Sequence, residues 1–190
     1  MRIAVLLLCM ISPIVFSGCV SDNASMPPSP VQPPPELPLS EIPAYPDLQK
    51  SYDMSAKLCV YSTLWISKPI ADGLINAGYT VLPQCPDSSE KIVVSPDLIV
   101  EPLSFRHTTE LRQGNLWLFT RVVVQVRRPL RVVSDETQTG SQIPPRIFQV
   151  YARENLGVVS SPTEENYRAN VDVAVGNLLR VDAFRESLVR

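Results

Sequence analysis

Hydrophobic and polar side chains alternate from Leu116 to Arg127, and this period of two residues predicts a β-strand. One face of the strand is apolar and is expected to lie on the core, whereas the other face combines aromatic and arginine side chains. The apolar face comprises Leu116, Leu118, Val122, Val124 and Val126, and the mixed face comprises Trp117, Phe119, Arg121, Val123, Gln125 and Arg127.

Four further segments are rich in β-branched and aromatic residues and predict strands. The polar stretch from Arg106 to Asn115, which contains Gly114, predicts a hairpin connection before the Leu116 strand. Pro96 and Pro102 indicate an edge position or a bulge in the strand that precedes this connection. The four predicted strands cover residues 58–64, 79–82, 91–105 and 146–156.

Two segments have the spacing of helices. The first begins at Ser67, has Pro69 in its first turn and ends before Gly78, which suits a left-handed cap position. Ser161-Pro162-Thr163-Glu164 has the pattern of a capping box with proline at the first helical position, and it predicts the start of one long C-terminal helix. The apolar stripe of that helix comprises Tyr167, Val171, Ala174, Val175, Leu178, Val181 and Leu188.

The resulting order, β-α-β-β-β-α, predicts an α+β roll in which two helices pack on a mostly antiparallel sheet. Residues 51–190 form one domain that is long enough to bury a core. The formal net charge of −2 predicts no general attraction to nucleic acid. Twelve of the 13 arginines follow Phe105, which favours an anionic or protein surface as the partner of this half of the chain.

The segment from Ala24 to Pro46 carries nine of the 19 prolines and no glycine. Proline lacks an amide donor and fixes φ, so this composition predicts a disordered, extended tether within a linker at residues 19–50. A docking motif for a proline-binding groove is the alternative. An unrelated linker of equal reach should replace a pure spacer without loss.

The first residues resemble an export signal, with Arg2 followed by an apolar run that is too short to span a bilayer. This run ends in Phe16-Ser17-Gly18-Cys19, which resembles the lipobox of bacterial lipoproteins, with Phe16 where leucine is usual. The resemblance implies removal of residues 1–18 and a lipid anchor at Cys19, including a palmitate among its acyl chains. Val20 stands where the family's inner-membrane retention signal has aspartate, so the outer membrane is the expected location.

Two cysteines would remain for the exported domain, because Cys9 leaves with the signal and Cys19 carries the lipid. The envelope oxidises thiols, so the sequence predicts a disulfide between Cys59 and Cys85. Two separate buried thiols are the alternative.

The sequence predicts no enzyme, no cofactor and no metal site. His107 is the only histidine, which excludes a site with several histidine ligands, and it is expected at the surface or in the hairpin. Adjacent carboxylates point apart, so the pairs Asp135-Glu136 and Glu164-Glu165 are interpreted as structural, the second at a helix N-terminus. No glycine-rich phosphate loop, Cys-x-x-Cys motif or Gly-x-Ser-x-Gly motif is present.

The chain resembles the lipopolysaccharide-assembly lipoprotein and related envelope-complex lipoproteins over residues 55–188. The resemblance rests on the order of elements and on Gly78-Tyr79-Thr80-Val81 at the end of the first helix. It implies a non-enzymatic accessory subunit of a lipid or lipopolysaccharide transport complex, facing the periplasm, with a larger envelope protein or barrel as its partner.

Trp117, Phe119, Arg121 and Arg127 are the candidate interface, because tryptophan and arginine commonly anchor protein interfaces. The alternative is that both faces of the strand are buried and that Arg121 only extends to the rim. Two other functions stay open. A structural ring component of a secretion, pilus or flagellar machine predicts a homo-oligomer, and a ligand-binding lipoprotein predicts an apolar cavity between sheet and helices.

Overall fold

A computed structural model describes residues 33–46, 51–85, 95–129, 144–159 and 161–189. All of these residues belong to the compact unit Val31–Arg190. The lipobox with Cys19, the first part of the linker and Asp135-Glu136 lie outside the described residues. The α+β class and the mostly antiparallel sheet are confirmed.

The domain follows the predicted order, with one additional short helix at its end. The first helix and the two strands around it are short, whereas the three strands that follow are long. The elements are β1 (Lys57–Val60), α1 (Ser67–Asn76), β2 (Thr80–Leu82), β3 (Leu98–Arg112), β4 (Asn115–Arg127), β5 (Arg146–Gly157), α2 (Glu164–Leu179) and α3 (Asp182–Ser187).

The five strands form one sheet in the order β2-β1-β3-β4-β5. Strand β1 pairs in parallel with both β2 and β3, and α1 is the crossover between β1 and β2. Strands β3, β4 and β5 are antiparallel neighbours joined by direct connections. Strand β5 is therefore an edge of the sheet, a position that leaves one row of its backbone groups without a neighbouring strand.

The polar stretch after Arg106 was predicted to be the connection between two strands. Most of it instead belongs to the strands, as the outer part of a long hairpin. Strand β3 continues to Arg112, and the connection is only Gln113-Gly114, both with positive φ (50° and 79°). Positive φ at both central residues is typical of the tight turn that matches the twist of paired strands. Polar residues can continue the strands here, because backbone hydrogen bonds between paired strands do not require apolar side chains.

The register of β3 against β4 shifts between Pro102 and Ser104. Such a bulge inserts one unpaired residue into the strand. Each later residue then faces the side opposite to the one that regular alternation would give it. Of the two positions predicted for Pro102, a sheet edge or a bulge, the structure has the bulge. After it, Phe105 packs against the core, whereas Arg106 lies on the opposite face of the sheet.

The predicted single C-terminal helix is two helices. Helix α2 ends at Leu179, and Val181 has extended backbone angles (φ −80°, ψ 109°) before α3 begins. The break turns Phe184 into the core, where its ring meets that of Phe148 edge-on at 5.3 Å. The helix cap is also displaced from the prediction: Thr163 is the N-cap and exchanges hydrogen bonds with Asn166.

The core lies between the helices and one face of the sheet. Helix α2 packs on β4, β5 and α1. At Gly73 the two helices approach so closely that an added Cβ would lie 2.7 Å from Cγ1 of Val175. The predicted apolar faces of β4 and α2 supply the centre of this core, with Val122, Val124, Val126, Val171, Ala174, Val175 and Leu178.

Candidate interaction surface

The face of the sheet opposite the helices carries the second part of the proline-rich linker. Arg106, Arg121 and Tyr151 are paired neighbours across β3, β4 and β5, and their side chains form a row on this face. Residues 34–37 of the linker make polar contacts with this row. We call this side of the sheet the linker face.

Two side chains of the sheet bind proline carbonyl groups. Arg121 donates from Nη2 to the carbonyl oxygen of Pro34 at 2.9 Å, and Gln149 donates from Nε2 to that of Pro35 at 3.1 Å. Arg121 also donates to Oε1 of Gln149, which orients both donors. Because a proline offers only an acceptor to its surroundings, donors on the sheet are the chemically matched partners for it.

The next two linker residues complete the contact. The amide of Leu37 donates to the hydroxyl oxygen of Tyr151 at 2.8 Å. Glu36 forms an ion pair with Arg106 at 3.1 Å, in which the two side chains remain 37% and 65% exposed. The ion pair is open to solvent and contributes little, whereas the hydrogen bonds fix the register of the linker on the sheet.

The linker then passes the free edge of β5. The hydroxyl oxygen of Tyr45 accepts a hydrogen bond from the backbone amide of Tyr151 at 2.9 Å, and Tyr45 also packs against the helix-side core. Asn177 of α2 donates to the backbone carbonyl of Tyr151 at 2.7 Å. Two side chains therefore satisfy edge groups that would otherwise be available to another strand. Burial raises the pKa of the Tyr45 hydroxyl above its usual value.

The linker was predicted to be a disordered tether through residue 50. The structure instead places residues 33–46 against the domain, with one turn of 3-10 helix at Leu39–Glu41. Proline lacks an amide donor, but its carbonyl oxygen remains a hydrogen-bond acceptor, and this acceptor is the group that the sheet binds. The apolar residues Leu37, Ile42 and Tyr45 between the prolines are the signal that could have indicated contact.

An aromatic cluster lies on the linker face nearer the hairpin turn. The rings of Trp117 and Phe119 stack at 6.4 Å with an interplanar angle of 24°, and the guanidinium of Arg112 lies 5.4 Å from the centre of the Phe119 ring. Phe119 is buried, whereas Trp117 is partly buried and Arg153, paired with Phe119 across the strands, is exposed. Arg112 also binds Glu110, and this hydrogen bond lowers the pKa of the Glu110 carboxyl.

The four predicted interface residues share the linker face but have different environments. Arg121 is engaged by the linker, and Phe119 is buried beneath its neighbours. Arg127 pairs with Glu101 at 3.0 Å and lies over the ring of Tyr61 at 5.8 Å. Of the four, Trp117 is partly buried and makes no polar contact with linker residues 34–37; Arg112 and Arg153 beside its stack were not predicted.

The structure pairs Cys59 with Cys85, with their Cα atoms 5.3 Å apart. This bond joins β1 to the residues that follow β2 and closes the chain around α1. The predicted disulfide is thus present in the fold.

His107 lies in the hairpin, one of the two predicted positions, where it faces the helix side and is partly buried. Its Nδ1 is 2.8 Å from Oγ1 of Thr120, which also accepts from Nδ2 of the buried Asn170 at 2.8 Å. The histidine ring also packs against Tyr167 at 4.8 Å. Burial lowers the pKa of His107, which favours the neutral imidazole.

Within the described ranges no group of three or more histidine, cysteine or acidic residues is arranged to hold a metal ion. Glu164 pairs with Arg168 one helical turn later, consistent with a structural role at the start of α2. A depression of about 120 Å³ at the end of the sheet is lined by three arginines as well as by Leu98 and Val126, which differs from the apolar cavity that the ligand-binding hypothesis predicts. None of the described helices is both long and apolar enough to cross a membrane.

Comparison with known proteins gives structural likeness only. No protein-family model and no curated protein sequence matches the chain. A minor lipoprotein from Acinetobacter baumannii is similar over 69% of this chain and 89% of that one, with 14% identity and a TM-score of 0.37. Rare lipoprotein B from Shewanella oneidensis is similar over 70% of this chain and 90% of that one, with 10% identity and a TM-score of 0.35. Both are lipoproteins by name, and at these values no function is transferred from them.

Proposed function

We propose that this protein is a non-enzymatic lipoprotein, anchored through Cys19 in the outer membrane, that serves as an accessory subunit of a cell-envelope complex. Its domain faces the periplasm and binds a larger protein of that complex. Lipid or lipopolysaccharide transport is the proposed setting, on the resemblance of the chain's element order to lipoproteins of that kind.

The observation that carries the proposal is the stack of Trp117 on Phe119 with Arg112 and Arg153 beside it. These residues lie on the β3–β4–β5 sheet, beyond the contacts that linker residues 34–37 make. Ring stacking and strand pairing fix the side chains before a partner arrives, so little conformational entropy remains to be lost on binding. Tryptophan and arginine are also the residue types that most often dominate the energy of a protein interface.

A matched pair of tryptophans allows a direct test. Trp117 lies on the linker face, whereas Trp65 is 48% exposed and meets Phe105 edge-on on the helix side at 5.3 Å. Trp117→Ala and Trp65→Ala remove the same side chain from opposite sides of the sheet. The lipidated proteins are crosslinked in cells and purified, and the captured proteins are identified by mass spectrometry.

We expect the wild type and Trp65→Ala to capture one envelope protein in common, and Trp117→Ala to capture at least about tenfold less of it, because the few residues that dominate an interface each contribute about 2 kcal/mol or more. Thermal unfolding shows whether each variant remains folded. Equal capture by both variants, with the domain folded, would contradict the proposed surface. If Cys19→Ser remains with the membranes, the lipid anchor is wrong.

A further inference from the structure

We propose that residues 33–46 are a releasable strap, and that its docking on the linker face sets how far the domain can stand from its lipid anchor. This inference rests on the proposed anchor at Cys19. When the strap is released, residues 33–46 lengthen the free tether. When the strap is docked, the tether is shorter by these residues.

The strap is held by a short series of side chains on adjacent strands. Arg121 and Gln149 bind the carbonyl groups of Pro34 and Pro35, and Tyr151 accepts from the amide of Leu37. The three sheet residues also contact one another, since Gln149 bonds to both Arg121 and Tyr151. Removal of one group therefore disturbs the position of the others, and the strap is expected to dock or leave as a unit.

The strap lies mostly at the surface of the domain. No described side chain in it is fully buried, and the ion pair of Glu36 with Arg106 is solvent-exposed. Tyr45 packs against the helix-side core and accepts a hydrogen bond from the Tyr151 amide, but it is only partly buried. Six of its 14 residues are prolines, which have little backbone freedom to lose and so lower the entropic cost of docking. The docked strap is stabilised by only a few hydrogen bonds, and docking costs little entropy. The free energies of the docked and released states are therefore close, and docking is reversible.

Chain length gives the size of the effect. Cys19 is 14 residues before Pro33, a length that spans about 43 Å at roughly 3.1 Å per residue in an extended proline-rich chain. Release of the strap as far as Pro46 adds 13 residues, or about 40 Å, to this reach. Release of the strap thus nearly doubles the distance at which the domain can meet a partner.

The experiment uses the mature, lipidated protein in supported bilayers. The variant Tyr151→Phe with Arg121→Gln removes two of the strap's partners and keeps the buried ring of residue 151. Arg146→Gln is the matched control, because it removes an exposed arginine from the same strand, five residues before Tyr151. Hydrogen exchange measures the protection of the Leu37 amide, neutron reflectometry measures the distance of the protein layer from the bilayer, and thermal unfolding measures the stability of the domain.

We expect exchange at Leu37 to be about tenfold faster in the double variant, the protein layer to stand farther from the bilayer, and the melting temperature to stay within a few degrees of the wild type. Arg146→Gln should match the wild type in all three. Unchanged exchange and height in the double variant would overturn the proposal. Global unfolding of that variant would also overturn it, because residues 33–46 would then be an inseparable part of the fold; Tyr151→Phe alone repeats the exchange test with a smaller perturbation.

The outcomes separate this inference from the proposed function. Failure of the anchor appears as loss of the wild-type protein from the bilayer, and the Leu37 exchange result does not depend on it. Failure of the partner surface appears only in the capture experiment with Trp117→Ala. A strap that does not release leaves both of those results intact.

Discussion

The hydroxyl oxygen of Tyr45 accepts a hydrogen bond from the backbone amide of Tyr151. A linker residue thus provides the acceptor for an amide at the edge of the sheet. The tyrosine replaces one hydrogen bond that an additional strand would make. This contact has a direct energetic consequence for the domain.

Tyr45→Phe should lower the free energy of unfolding by about 1–2 kcal/mol, because it removes the acceptor and leaves the Tyr151 amide without its partner. Urea unfolding measures the loss. Tyr61→Phe is the control, since it retains the ring beneath Arg127 and should change stability less. Equal effects of the two substitutions would show that the Tyr45 hydroxyl contributes nothing specific.

The stability of the domain should decrease as the pH falls below about 6.5, the usual pKa of histidine. Burial lowers the pKa of His107 in the folded protein, so the unfolded chain binds the proton first. The stabilisation from neutral His107 is complete above the unfolded pKa and is lost as the pH falls through the lower, folded pKa. Melting temperatures between pH 8 and pH 5 measure this loss.

His107→Gln provides the comparison, because His107 is the only histidine in the chain. The variant should show a flatter dependence of stability on pH between 7 and 5.5, whatever its absolute stability. A wild-type profile with the same slope as the variant would assign the pH dependence to carboxylates instead.

Reduction of the Cys59–Cys85 bond should lower the free energy of unfolding by about 3–4 kcal/mol, as expected for the closure of a loop whose ends are 26 residues apart. Unfolding by urea with and without a reductant measures the difference. A thiol assay on the unreduced, denatured protein should find neither cysteine free. Detection of two thiols there would contradict the disulfide.

Gly73→Ala should destabilise the domain although alanine favours helices by about 1 kcal/mol over glycine. The new Cβ would lie 2.7 Å from the short, branched side chain of Val175, and overpacking of this kind costs about 1–3 kcal/mol. Thermal unfolding measures the result. Gly73→Ala combined with Val175→Ala should recover part of the loss, and a Gly73→Ala variant more stable than the wild type would show that the helices move apart freely.

The sequence predicted those parts of the fold in which a regular pattern meets the core. The alternation in β4 assigned Val122 and Val124 to the helix side correctly, because that face of the strand is apolar except at Thr120. It did not predict the hairpin beyond Arg106, where strand pairing continues without an apolar face. It also did not predict the break at Val181, since apolar residues before and after it keep a helical spacing.

The alternation of β4 placed Trp117, Phe119, Arg121 and Arg127 on one face, and it did not anticipate that part of the linker lies there as well. Residue type indicated that Arg121 binds an acceptor, and the acceptor proved to be Pro34 of the same chain. Such a contact joins residues 87 positions apart, and neither hydrophobic periodicity nor composition contains that information. Strand pairing and the path of the linker had to be known first.

The bulge next to Pro102 determines the chemistry of both sides of the sheet. If β3 continued past Pro102 with every residue paired, the alternation that places Val100 in the core would place Arg106 there as well, and would turn Phe105 and His107 outward. Leu103 has no partner in β4, so Ser104 pairs with Val123 and Phe105 lies beside Val122. One inserted residue therefore keeps Arg106 on the linker face and keeps Phe105 and His107 on the helix side.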